Sequence, residues 1–128
     1  MKFGYAILYV DDVEATVAFY ERAFGLTRKL VMPGEYGELA TGATRLAFAD
    51  RSFAQKLTSA GVQGAGLDRD PPPFEVALVT DDVDRAFEVA VAAGATGLVP
   101  PQTKPWGQRV SYVRDNNGFL VELCSAVE

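Results

Sequence analysis

The sequence predicts an α+β fold, two βαβββ modules forming curved mixed sheets around a cleft, within a single domain over residues 1–128. Three observations carry that expectation. The segment Ile7-Leu8-Tyr9-Val10-Asp11-Asp12-Val13-Glu14 returns as Ala77-Leu78-Val79-Thr80-Asp81-Asp82-Val83-Asp84, 70 residues later, so the chain reads as a duplicated half. Each copy passes from an apolar, β-branched run into a 3.6-residue period, as a strand leading into a helix does. Each is then followed by three short extended runs punctuated by Gly, Pro and Asn.

Module 1 covers 3–49. Its first strand ends near Val10, and Asp11 is expected to cap the helix that follows, with Glu14 opposing the helix dipole three residues on. Val13, Val17, Tyr20 and Phe24 make one apolar stripe, and Gly25 supplies the left-handed stop. Extended runs follow at Thr27–Met32, Tyr36–Thr41 and Thr44–Ala49, with a turn at Met32-Pro33-Gly34. A connector, 50–73, starts with a short helix over Ser52–Ser59 and ends in the stiff Pro71-Pro72-Pro73.

Module 2 covers 74–124 and repeats the pattern. Asp81 is expected at the helix cap with Asp84 three residues on, and Gly94 ends the helix. Gly97–Val99, Gln108–Arg114 and Phe119–Cys124 are the extended runs. Asn116-Asn117-Gly118, read as a three-residue hairpin loop with Gly118 left-handed, pairs Tyr112 with Glu122 and sets both on one face. If the chain is already extended there, alternation carries that face back through Val110 to Gln108 and Trp106.

Composition narrows the function. At 48% apolar and 23% charged the chain matches ordinary globular proteins, which excludes a disordered or fibrous design. No apolar run approaches the ~20 residues of a spanning helix, and Met1 to Tyr5 shows no secretory pattern, so a cytoplasmic location away from membranes is expected. A net charge of −5 with scattered Lys and Arg argues against nucleic acid as a partner. With no histidine, the commonest nitrogen ligand and near-neutral proton shuttle are missing. The lone Cys124 closes no internal disulfide and reads as an inert buried thiol. Halves of about 50 residues are small for separate cores, so they should pack together or exchange with a partner chain, which predicts a homodimer.

Two modules of this length, Val10-Asp11-Asp12-Val13, Phe19-Tyr20 ahead of Phe24-Gly25-Leu26, and Arg114-Asp115-Asn116-Asn117-Gly118-Phe119-Leu120-Val121-Glu122-Leu123 together resemble the vicinal oxygen chelate superfamily. That group includes glyoxalase I, extradiol dioxygenases, and fosfomycin and bleomycin resistance proteins. Pro105-Trp106-Gly107-Gln108-Arg109-Val110 is similar to its bleomycin-resistance-like branch in particular. In the metal-dependent members, the resemblance implies, four ligands fall at the places held here by Tyr5, Ala47, Glu75 and Glu122. Ala47 offers no ligand, and a tyrosine must lose a proton of pKa ~10. No metal cofactor is therefore expected, and a hard cation such as Mg²⁺ held through waters is the one open alternative.

Each candidate site residue has two readings. Glu122, flanked by apolar neighbours, either lines a ligand cleft or forms a structural ion pair with Arg45 or Arg109. Glu75 faces the same choice, or simple exposure after three prolines. Tyr112 matches, by the resemblance, a tyrosine that touches substrate in relatives; otherwise it is core. Trp106, between Pro105 and Gly107, is a stacking wall or the cap of a core edge. Tyr36, Phe48 and Phe53 complete an aromatic wall or belong to the core. The first functional expectation is a metal-independent small-molecule-binding protein that holds a planar or cationic molecule, antibiotics among the candidates, through Trp106, Tyr112, Gln108, Glu122, Glu75 and Tyr5. The alternative is a lyase, isomerase or dioxygenase-type enzyme in which Glu122 or Glu75 moves a proton, with or without a divalent metal.

Overall fold

The duplication organises the fold. The computed structural model describes residues 1–127 and divides into two units, Met1–Gly64 and the chain from Ala65 on. The first contains β1 (Tyr5–Val10), α1 (Val13–Phe24), β2 (Arg28–Met32), β3 (Tyr36–Leu39), β4 (Arg45–Asp50) and α2 (Arg51–Thr58). The second contains β5 (Glu75–Val79), α3 (Val83–Ala92), β6 (Thr96–Thr103), β7 (Arg109–Arg114) and β8 (Leu120–Cys124). Each unit is built on one four-stranded mixed sheet, in the orders β1-β4-β3-β2 and β5-β8-β7-β6, so each is a βαβββ module of an α+β fold. The first and last strands of each module run parallel, and the remaining pairs are antiparallel.

In the first unit α1 covers one face of its sheet. Val13, Val17, Phe19, Tyr20 and Ala23 are buried, and the Tyr20 ring lies 4.8 Å from that of Phe48 on β4. The helix comes close because Gly37 on β3 has no side chain: a Cβ there would stand 2.8 Å from Cγ2 of Val17. Phe48 is thus a core residue under α1, where an aromatic ligand wall was the other expectation, and Phe53 is half-buried on α2. In the second unit α3 packs on β6, β7 and β8, and Val113, Val121 and Leu123 are buried.

The helix caps differ from expectation by one residue. Asp12 caps α1, accepting from the Ala15 amide at 3.0 Å, and Asp82 caps α3, accepting from the Arg85 amide at 3.1 Å. In a capping interaction the acceptor serves an amide three positions on, and helices that begin at Val13 and Val83 select the second aspartate of each pair. Asp11 and Asp81 are left for other work. Gly25 ends α1 in the left-handed region, whereas α3 ends at a right-handed Ala93 with the positive-φ Gly94 just beyond.

The other departure is β6. It extends through Pro100-Pro101 to Thr103, well past the expected Val99, with irregular pairing between Val99 and Gln102. As the outermost strand it tolerates proline, since a missing N–H on the open side breaks no ladder bond. The β7–β8 hairpin forms as expected. Asp115 N donates to Phe119 O, Gly118 has φ +96°, and Tyr112 pairs with Glu122. The Arg114 guanidinium, buried beneath the loop, donates to the carbonyls of Gly118, Gly66 and Arg69 and so ties the end of the connector to the hairpin. Among the described residues no helix is long and apolar enough to cross a membrane.

Candidate functional site

The register of the second sheet decides which side chains meet. Cross-strand partners share a face, so Ala77↔Glu122 and Tyr112↔Glu122 place Glu122 in line with Tyr112, and alternation adds Glu75 from β5 and Cys124 from β8. The opposite face carries the buried Val121 and Leu123. The Tyr112 hydroxyl donates to Glu122 Oε1 at 3.2 Å. Glu75 is exposed at the start of β5, and desolvation beside the sheet, reinforced by the charge on Glu122, raises its carboxyl above the ordinary range. Burial and Glu122 together also push up the Tyr112 phenol and the Cys124 thiol. A buried thiol raised in this way is a poor nucleophile.

Neither expected ion pair to Glu122 forms. Arg109 donates to Asp84 through Nε at 2.8 Å and Nη2 at 2.7 Å, and Arg45 donates to Glu38 at 3.1 Å. Among the described residues no Lys or Arg pairs with Glu75 or Glu122, so two carboxylates share a sheet face with a neutral phenol between strands and no cation.

Gln108 immediately precedes β7, but Trp106 lies in the turn that joins β6 to β7, closed by bonds from Gly107 N to Lys104 O and from Lys104 N to Gln108 O, so strand alternation does not carry the Tyr112 face out to the indole. Trp106 is 66% exposed and therefore caps no core edge. Its indole N–H donates to Gln108 Oε1 at 2.9 Å, and Gln108 Nε2 donates to Ser125 O at 2.9 Å. This relay fixes the ring beside a groove of about 390 Å³ whose lining includes Thr80, Asp81, Trp106, Gln108, Ser125 and Val127. The groove takes in Trp106 and Gln108, which the sequence singles out, and Asp81, which the sequence places at the helix cap instead.

Tyr5 lies in the first unit, on the face of β1 that alternates with the buried Leu8 and Val10. Its cross-strand partner is Arg45, and the same sheet face holds a cluster that the sequence did not reveal. The buried Glu38 accepts from Tyr36 Oη at 2.9 Å and from Arg45 Nη1 at 3.1 Å. Burial and the Glu38 carboxylate raise the Tyr36 phenol strongly. Ala47, fully buried, contributes a methyl group only. Of the four positions where the resemblance implies metal ligands, Tyr5 and Ala47 lie in the first unit and Glu75 and Glu122 in the second, and among the described residues no group of three or more His, Cys, Asp or Glu side chains could hold a metal ion.

Comparison with known proteins agrees with this architecture. A Mycobacterium bovis protein described as uncharacterized is 31% identical over 117 residues, which span 87% of this chain and 74% of the relative. Two Mycobacterium tuberculosis proteins match equally, with 66% of their length covered. A glyoxalase-related enzyme from Fulvimarina pelagi superposes with a TM-score of 0.85 at 23% identity, over 98% of this chain and 88% of that one. A lactoylglutathione lyase from Agrobacterium tumefaciens gives 0.74 at 25% identity, over 98% and 93%. The model of the Glyoxalase/Bleomycin resistance protein/Dioxygenase superfamily matches residues 2–123. With the duplicated βαβββ modules, this match means that the chain belongs to that superfamily.

Proposed function

We propose that the protein is a metal-independent binder of a small organic molecule, with a cationic and planar ligand favoured, in the manner of the bleomycin-resistance-like branch. The observation that carries this reading is the pair of carboxylates, Glu75 and Glu122, on one sheet face without a lysine or arginine partner among the described residues. Glu122 is oriented by Tyr112, and the exposed Trp106 is bonded to Gln108 in the turn ahead of β7. A ligand cation would offset the desolvation and the Glu122 charge that raise Glu75, and a flat ring would gain stacking area on the exposed indole.

Trp106 is the only tryptophan, so its emission reports binding without a label. Planar cationic antibiotics should quench or shift it saturably, and neutral aromatic metabolites should do so more weakly. If no member of such a panel perturbs the emission, the binding reading fails. Metal independence has its own check, elemental analysis of protein purified without chelator. About one Zn, Ni, Mn or Fe per chain, lost on Glu122→Gln, would overturn it.

One observation favours a second reading. A carboxyl held above its ordinary range beside another carboxylate suits proton abstraction next to a carbonyl, as an isomerase or lyase requires. Under that reading α-keto compounds exchange a carbon-bound proton with deuterated water in the presence of the protein, and Glu75→Gln stops the exchange. No exchange across such a panel leaves the binding reading alone.

A further inference from the structure

The two units can be laid on each other strand by strand. Tyr9↔Ala49 in the first corresponds to Val79↔Cys124 in the second, and the bond from Asp50 N to Glu35 O (2.8 Å) corresponds to that from Ser125 N to Arg109 O (2.9 Å). Under this correspondence Asp11 matches Asp81, and Arg51 matches Ala126. In the first unit Arg51 Nε donates to Asp11 Oδ1 at 3.0 Å and Nη1 reaches Val62 O at 3.4 Å. The equivalent arginine is missing from the second unit, where a methyl stands in its place. Asp81 is exposed and has no hydrogen-bond or ion-pair partner among the described residues, and the helix cap it could have served is taken by Asp82. The space left is the groove between Asp81, Ser125, Val127 and Trp106.

We propose that this groove binds a guanidinium group, as carried by arginine, with Asp81 as its carboxylate acceptor and Trp106 as its stacking wall. The chemistry follows from three features. The first unit shows that a carboxylate at this position takes a guanidinium from this direction. A planar guanidinium matches both a carboxylate and an aromatic face, which a lysine ammonium does not. The Trp106–Gln108–Ser125 relay holds the indole beside the groove, so the stacking wall stands in place before a ligand arrives. This inference does not depend on the sheet-face site formed by Glu75 and Glu122.

Two measurements test it. In a thermal double-mutant cycle, Ala126→Arg should rebuild the pair seen in the first unit and raise the melting temperature by about 1–3 °C, a gain that disappears in the Asp81→Asn background. An equal change in both backgrounds overturns the proposal. Because no small molecule enters this cycle, failure of the sheet-face reading would leave its result unaffected. In the second measurement, Trp106 emission is titrated with N-acetyl-arginine amide, free arginine and citrulline. The guanidinium compounds should bind saturably and at least about fivefold more weakly to Asp81→Asn, and citrulline, neutral and of nearly the same shape, should not bind. Tighter binding of the amide points to an arginine within a peptide, tighter binding of free arginine to a metabolite. Equal response to citrulline, or no loss in Asp81→Asn, sinks the proposal, and this arm decides alone should Ala126→Arg fail to fold.

Discussion

A carboxylate on a mostly apolar strand needs a partner, and Glu122 has a phenol where the sequence allowed a guanidinium. Replacing Tyr112 by Phe should therefore weaken a cationic ligand through loss of orientation, while leaving the charge in place. The same site has a pH signature. Glu75 holds its proton more tightly in the folded protein than in the unfolded chain, so its protonated form favours folding. That contribution is full below the ordinary glutamate pKa and is lost as pH rises through the raised value. A cationic ligand works in the opposite sense, because its affinity rises over the same window as Glu75 ionises. Melting curves from pH 4 to 7 on the native protein and Glu75→Gln should differ in slope in that range; identical slopes would remove the coupling. Trp106→Ala should cost a bound ligand tenfold or more in affinity, on the order of 1.4 kcal/mol, from lost stacking and contact area. Its melting temperature should fall little, since the ring is 66% exposed and leaves no core cavity. Unfolding of Trp106→Ala would return the residue to a packing role.

At the scale of elements, helices and strands were legible because hydrophobic period and turn residues agree along most of the chain. The caps were misplaced by one because Asp-Asp offers two equivalent oxygens, and only the helix start decides between them. Asp12→Ala should cost about 1 kcal/mol of stability, the usual worth of an N-cap. Asp11→Ala should cost less, because its exposed bond to Arg51 is a surface pair. Urea melts that rank the two the other way would make Asp11 the residue that caps α1. Gly37 is a second case in which sequence alone was silent. A glycine inside a strand signals a close approach, but not what approaches. Here it is Val17, and Gly37→Ala should destabilise by about 1–3 kcal/mol through overpacking unless α1 shifts. The sequence ends this strand at Val99 because two prolines argue against a strand, whereas at the sheet edge β6 runs on to Thr103.

At the scale of the whole molecule, duplication made the fold readable, and divergence between the copies made the function hard to read. The first sheet face pairs Glu38 with the Arg45 cation and a hydrogen bond from Tyr36, whereas on the second no cation reaches Glu75 or Glu122 among the described residues. That contrast depends on which arginine reaches which carboxylate, and the order of residues does not state it. The same divergence bears on assembly. Units of roughly 60 residues bury a modest share of their surface, and each sheet here ends in an outer strand with exposed apolar side chains. On β1 these are Tyr5 at 52% and Ile7 at 46% exposure, with Phe3 at 71% just before it; on β5 Val79 stands at 65%, after Phe74 at 46%. Outer strands with unpaired backbone groups and clustered apolar residues invite pairing unless something covers them. We expect two copies to associate through these strands in a closed, two-fold arrangement, since that arrangement alone uses the same patch on both and leaves none open for further growth. Sedimentation velocity at micromolar concentration should give a dimer mass, and Ile7→Lys should shift it toward monomer while leaving the fold intact by circular dichroism. A monomer for the native chain at tens of micromolar would show that these strands do not pair between copies.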